Sequence, residues 1–463
     1  MNYLTAPIAR IYAFYNDSEY FRQILKIALP ITLQNFVFSA LNMASLVIIG
    51  QKGDVAVAAV GLAGQVFFLF NLLLFGLGSG TGIFTAQLWG KRDLTNIRKV
   101  LGLSLRLFLG CALVFFIIAQ FFAIQVLEIY STDPQVILVG ANYLQIFSWG
   151  FFFFAITFAY VFILRSTGDV RLPVVASIFS LVLNALLTYG LVFGKLGFPG
   201  YGVNGAAIAI VIARGVECAI LLFGIYLEKN SIAAATWSEI TYFDWSFTWK
   251  IIQPVIPVAL NEIFWSFGIT AYNIIYARMG TESIAAMNIF STVDNMSFIF
   301  FIGLGNATAI IVGNKIGAGE DKTAHLYAGR SIGLALMTGL LIGVALLLLR
   351  SPILSLYNVS AQVTEYAFQI MTIAALAIWM RASNMVIIVG TLRSGGDTIY
   401  SLILDGFVIW LVGVPLAALG AFYFLLPIQW VYFLVLSEEL TKFSFGLHRY
   451  FSRKWINNLA QFD

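Results

Sequence analysis

Continuous apolar runs of about 20 residues recur along this chain, each long enough to cross a bilayer core of about 30 Å as an α-helix. The run Gly333–Leu349, "GLALMTGLLIGVALLLL", carries no charge at all. Transmembrane strands alternate polar and apolar residues, and these runs do not. Charged residues make up 10% of the chain and hydrophobic ones 60%, whereas a soluble domain carries about 25% charge. Mean hydropathy is +0.90. The fold class expected is an all-α polytopic membrane protein.

Twelve helices are expected, at about 24–49, 55–88, 99–123, 134–163, 171–193, 204–227, 250–277, 283–313, 323–348, 362–391, 398–422 and 428–447. Twenty of the 26 Lys and Arg residues fall on one side of this arrangement. Lys52, Lys195, Arg278 and Arg350 fall on the other, and Arg214 and Arg381 lie within spans. The excess of basic residues marks the cytoplasmic side. Both termini are therefore expected in the cytoplasm and the protein in the plasma (inner) membrane. Residues 1–23 lack the basic start, short apolar core and small-residue cleavage site of a signal peptide, so none is expected.

An internal repeat organises the chain. At an offset of about 227, "LPITLQN" (29–35) falls on "IPVALNE" (256–262), and "GLGSGTG" (76–82) on "GLGNATA" (303–309). One residue later in phase, "LRSTGD" (164–169) falls on "LRSGGD" (392–397). Two parallel six-helix lobes follow, 1–227 and 250–463, joined by an amphipathic cytoplasmic linker at 228–249 that reads as an interfacial helix. Repeats of this kind mark secondary transporters that work by alternating access. The LRSxGD corners read first as turn chemistry between helices 4 and 5 and between helices 10 and 11, with Arg165/Asp169 and Arg393/Asp397 pairing locally, and a gating role is the alternative.

Several chemistries are absent. "GLGSGTG" lacks the Lys-Ser/Thr of a phosphate loop and reads as close helix packing. Cys111 and Cys218 cannot supply a metal site. No catalytic Ser/His/Asp set or HExxH appears, so no enzyme is expected. No resident cofactor is expected, and the basic residues form no nucleic-acid-binding stripe.

The twelve helices, the prolines near the starts of helices 1 and 7, the stretch "GLGSGTGIFTAQLWGKRD" with its counterpart "GLGNATAIIVGNKIGAGE", and the paired LRSxGD corners resemble the multidrug and toxic compound extrusion (MATE) family. The resemblance runs from about Gln23 to Trp455. It implies a V-shaped pair of lobes exporting amphipathic, often cationic, organic compounds in exchange for Na⁺ or H⁺, and an essential acid at the position of Glu262. The chain departs from the family at two places. Ser45 stands where many bacterial members carry an aspartate late in helix 1, and Ala382 where some carry another in helix 10.

Ionisable side chains inside spans are costly and functional by default. Glu262 lies about 12 residues into helix 7, or about 18 Å, and Asp294 lies about 17 Å into helix 8, both near the midplane. Arg381 and Asp405 lie nearer the cytoplasm. Their first-lobe counterparts (Asn35, Phe67, Phe153 or Phe154, Ser177) are uncharged, which points to one ion-coupling site in the second lobe. Its candidates are Glu262, Asp294, Arg381 and Asp405, with Asn261 and Asn295 as neighbours. Excess negative charge either lets one carboxyl hold a proton at neutral pH or admits Na⁺ between Glu262 and Asp294. Arg214 and Glu217 read as an i,i+3 pair, and Glu438, Glu439 and Lys442 as a solvated helix end.

The polar stripe of helix 1 (Gln34, Asn35, Asn42), with Asn71 and Asn184, suits either a cavity lining or interhelical hydrogen bonds. Asn384 is the cavity candidate from the second lobe. Small organic molecules and membrane lipid are the partners expected, and a monomer suffices because the cavity lies within one chain. A lipid-linked precursor flippase is the alternative function, although its phosphate cargo calls for more cavity-facing bases than Arg381 and Arg214. A membrane enzyme or sensor lacks both a catalytic set and a soluble domain.

Overall fold

The computed structural model describes residues 16–228 and 231–461, apart from the side chains at 42–44 and 46. Twelve long helices follow one another among the described residues. In the first half these are α1 (Ser18–Gly50), α2 (Asp54–Lys91), α3 (Leu94–Phe121), α4 (Pro134–Phe147 with Gly150–Ser166), α5 (Arg171–Phe193) and α6 (Val203–Leu227). The second half has α7 (Trp245–Arg278), α8 (Thr281–Gly317), α9 (Asp321–Leu354), α10 (Ala361–Arg393), α11 (Thr398–Tyr423) and α12 (Ile428–Ser452). Ten are long and apolar enough to span a bilayer, and α4 is an eleventh if its two segments, bent by 48°, count as one span. The twelfth, α12, has 25 residues but carries Glu438, Glu439 and Lys442.

The expected ranges match these helices to within a few residues, except that α1, α3, α7, α9 and α12 each extend about five or six residues further at one end. Helix α7 starts at Trp245 because Asp244 caps it, accepting from the Phe247 N–H at 2.7 Å. Asp17 caps α1 in the same way, accepting from the N–H groups of Glu19 and Tyr20.

Each LRSxGD word closes a helix with the same turn. At the end of α4, Gly168 adopts φ +86°, its N–H reaches the Arg165 carbonyl at 2.8 Å, and the Asp169 N–H reaches Leu164 at 2.9 Å. At the end of α10, Gly396 adopts φ +82° with bonds to Arg393 at 2.9 Å and from Asp397 to Leu392 at 3.0 Å. These are Schellman closures, and a left-handed residue there favours glycine.

Two packing units emerge. The C-terminal unit gathers the described residues up to Thr32 with Ile256 onward, and the N-terminal unit spans Leu33–Val255. The opening turns of α1 thus belong with the second repeat half and those of α7 with the first. In the C-terminal unit, Tyr20 of α1 hydrogen-bonds Ser331 of α9 at 2.9 Å, and Arg330 pairs with Asp17. In the N-terminal unit, a methyl on Gly80 of α2 would press on Val255 of α7 at 3.0 Å. The first glycine run does serve close packing: a side chain on Gly78 would overlap the Phe162 ring.

Among the described residues between α6 and α7, the linker forms one helical turn, Trp237–Ile240, rather than a full interfacial helix. It is docked on α3, where Gly102 leaves no room for a side chain beside Ile240. Lys99 lies over the Tyr242 ring at 4.0 Å, and Arg106 donates to the Tyr242 carbonyl at 2.8 Å. These side-chain anchors replace the helix that the amphipathic pattern suggested.

The N-terminal core is aromatic. Phe70 packs on Phe151 with ring centroids 4.6 Å apart, and Phe67 meets Phe147 at 5.1 Å and Phe154 at 5.2 Å. Burying such a ring contributes about 2–3 kcal/mol. Thus two of the four phenylalanines at 151–154, Phe151 and Phe154, build the core, while Phe153 is exposed.

Candidate functional site

In the C-terminal unit, α7, α10, α11 and α12 bring five charged side chains into one buried chain of contacts. Arg393, at the Schellman end of α10, donates to Glu262 of α7 at 2.6 Å and lies 3.7 Å from Asp405 of α11. Lys442 of α12 reaches Asp405 at 2.7 Å and, one turn back on its own helix, Glu438 at 2.5 Å. Tyr272 of α7 donates to Glu438, and the Asn261 amide donates to Asp405 at 3.0 Å. Both bases are almost fully buried, with side chains 3% exposed.

Local backbone makes this convergence feasible. The last turns of α10, Val386–Arg393, and the turns Leu402–Phe407 of α11 are π-helical, and they carry Arg393 and Asp405. Such wider turns occur often at functional sites. Gly413 of α11 also matters, since any side chain there would overlap the Tyr272 hydroxyl and lie 2.6 Å from Glu438.

Glu262, Asp405 and Asn261 are therefore brought together, as the sequence suggested. Asp294 is not. It takes a two-pronged bond from Arg381, at 2.6 and 3.0 Å, and shares no hydrogen-bonding or ion-pair partner with Glu262 among the described residues. Arg381 is thus occupied by Asp294, with its guanidinium 5.2 Å from the Phe298 ring. A shared Na⁺ site of Glu262 and Asp294 finds no support in this arrangement, because each acid is bound to its own arginine. Among the described residues, no cluster of three or more His, Cys, Asp or Glu suits a metal. Asn295 is exposed and stands apart from the network. Asn384 is buried and donates to the side chain of Glu439 at 2.7 Å and to its carbonyl at 2.8 Å.

Sequence reasoning missed Arg393, Lys442 and Glu438. Lys442 and Glu438, read as a solvated helix end, are 2% and 3% exposed. The LRSxGD arginine was assigned to turn chemistry, yet glycine and backbone bonds make the turn while the arginine reaches inward. A signal was present: the repeat pairs Arg165 with Arg393 and Gln34–Asn35 with Asn261–Glu262.

The N-terminal unit carries the corresponding chain with its charges redistributed. Arg165 donates to Gln34 at 2.5 Å, Gln34 to Ser177 at 2.5 Å, and Ser177 to Glu217 at 2.9 Å. Arg214 then pairs with Glu217 at 2.6 Å, as its i,i+3 spacing predicted. Ser177 stands at the repeat position of Asp405. Beside this chain, a cavity of about 440 Å³ opens between α1, α2, α4, α5 and α6. Asn71 and Asn184 line it, joined by Arg214, Tyr143, Phe67 and Phe147. Gln34 is engaged with Arg165 instead, Asn35 is half-buried away from the lining, and the Asn42 side chain lies outside the described residues.

Two six-helix halves, ionisable clusters buried within membrane-length helices and an amphipathic cavity define a polytopic membrane transporter. A family model described as MatE matches residues 30–190 and again 257–419, with the two matches starting 227 residues apart. The chain belongs to the MatE family, whose members are transporters rather than enzymes. It is 28% identical over 407 residues to "Probable multidrug resistance protein YoeA" of Bacillus subtilis, covering 87% of each protein. It is 24% identical to "Probable multidrug resistance protein NorM" of Thermotoga maritima, covering 94% of this chain and 93% of that one. A solved MATE structure in the bent conformation superposes with a TM-score of 0.85 over 94% of this chain and 96% of that one, at 19% identity.

Proposed function

We propose that this protein is a secondary active antiporter that exports amphipathic organic compounds across the cell membrane in exchange for H⁺ or Na⁺, by alternating access. It works as a monomer with both termini in the cytoplasm, in keeping with the distribution of Lys and Arg.

The observation that carries this reading is the buried network of Glu262, Arg393, Asp405, Lys442 and Glu438. With all groups ionised, three acids face two bases and one negative charge is left over. Charge buried in a span without compensation is costly, so one proton or one Na⁺ completes the network. Asn261 Oδ1, buried without a donor, stands beside Asp405 as an acceptor for a protonated carboxyl or a ligand for a cation. Loading the ion removes the claim of one carboxylate on Arg393 or Lys442. The contacts joining α7, α10, α11 and α12 then shift, providing the two-state element that alternating access needs.

The aromatic walls of the cavity offer ring faces to flat organic cargo. The test uses proteoliposomes loaded with ethidium or with 8-anilinonaphthalene-1-sulfonate, under imposed Na⁺ and pH gradients separately. Flux driven by one gradient in the wild type and abolished in Glu262→Gln supports the reading. Gradient-driven flux that persists unchanged in Glu262→Gln removes the network from coupling.

A further inference from the structure

We propose that the cavity of the N-terminal unit selects aromatic compounds bearing an anionic group, with Arg214 as the specificity-determining anchor. This specifies the cargo and so rests on the transporter reading above.

The charge balance around the cavity points this way. The chain Arg165–Gln34–Ser177–Glu217–Arg214 has a guanidinium at each end and a single carboxylate, leaving one positive charge. Glu217 is 3% exposed and engaged by Ser177 and Arg214. Arg214, rather than Glu217, is the charged residue that lines the cavity, and no carboxylate lines it among the described residues. An organic cation entering here meets a guanidinium with no exposed counter-charge, which like-charge repulsion disfavours.

Donor geometry supports the same choice. A guanidinium offers five N–H donors, and only Nη1 of Arg214 is committed, to Glu217. The group is held over the Phe154 ring at 4.9 Å, so it is already oriented before a ligand arrives. Its remaining donors can receive a carboxylate or sulfonate by the two-pronged geometry that arginine favours. Asn71 and Tyr143 also line the cavity and have no hydrogen-bond partner among the described residues. Phe67, Phe68 and Phe147 supply apolar faces, and about 440 Å³ is within the range of small-molecule sites. A ring system with one acidic group matches this lining.

The experiment measures equilibrium binding to the full chain in lipid nanodiscs with three probes sharing one ring system: 1-naphthoate, 1-naphthylmethanol and 1-naphthylmethylammonium. The expected result is 1-naphthoate binding about tenfold or more tightly than the ammonium, the scale of one charge-assisted hydrogen bond. Arg214→Gln combined with Glu217→Gln, which strands no buried carboxylate, abolishes that preference, and Arg214→Lys keeps it. Equal or tighter binding of the ammonium overturns the proposal, as does a preference that survives the double substitution. Flux of the same probes into proteoliposomes separates the two readings. Gradient-driven movement of both charges equally leaves the antiporter standing and removes the anion selectivity. Selective binding with no flux under any gradient leaves the cavity assignment standing and removes the antiporter.

Discussion

Replacing Lys442 by methionine gives a sharp test of the buried network. The side chain is 3% exposed and lies 2.7 Å from Asp405 and 2.5 Å from Glu438. At an effective dielectric of about 20, each contact is worth about 6 kcal/mol of direct attraction, set against a desolvation cost of several kcal/mol per ion. Removing the shared cation leaves two carboxylates without it, and breaking a buried pair in this way costs about 3–5 kcal/mol. Methionine has similar bulk, so little of the loss comes from a cavity. Had Lys442 been a solvated helix end, the same change would fall within about 0.5 kcal/mol. The assay is reversible unfolding of purified protein in mixed micelles, followed by tryptophan fluorescence, for Lys442→Met, Asp405→Asn and the double variant. In the double variant Asp405 no longer needs a counter-charge, so its cost should fall well short of the two single costs combined. A single-variant cost below about 1 kcal/mol, or strict additivity, would refute the buried network.

Two further outcomes follow from particular contacts. Gly413→Ala should cost about 1–3 kcal/mol by overpacking against the Tyr272 hydroxyl, and Tyr272→Phe in the same chain should recover part of it; melting temperatures of the three variants decide this. At the start of α1, the Tyr20 N–H, helped by the Arg330 guanidinium and the Glu19 N–H, holds the Asp17 carboxyl below its ordinary value against the opposing cost of burial. A depressed carboxyl pKa stabilises the fold above the unfolded value of about 3.9, and that contribution is lost as pH falls through the folded value. Asp17→Asn should therefore lower the melting temperature at pH 7, with the difference from wild type closing below about pH 4. A pH-independent difference would assign the effect to something other than ionisation.

The sequence reading of the site was uneven for a physical reason. Periodicity and the cost of charge in a span locate residues along a helix axis and name the expensive ones, so Glu262, Asp405 and Arg381 were legible one by one. The partner each acid takes depends on how helices rotate and cross, and no local signal records that. Asp294 and Glu262 looked alike by depth, yet one faces Arg381 and the other Arg393. Lys442 looked solvated because it lies near the cytoplasmic end of a helix with two glutamates beside it; packing of α12 against α11 buried it instead.

By itself the sequence determined the class, the number of helices, the repeat and the turn at each LRSxGD corner. These follow from short-range rules: apolar length against bilayer thickness, and glycine in a left-handed turn. Only the tertiary structure decided that the opening turns of α1 and α7 pack in the other half's unit. It also decided that the two equivalent arginines serve different ends, Arg393 binding an acid and Arg165 an amide. Charge pairing is a property of distance in space, and the packing of helices set that distance between residues more than 100 positions apart in the chain.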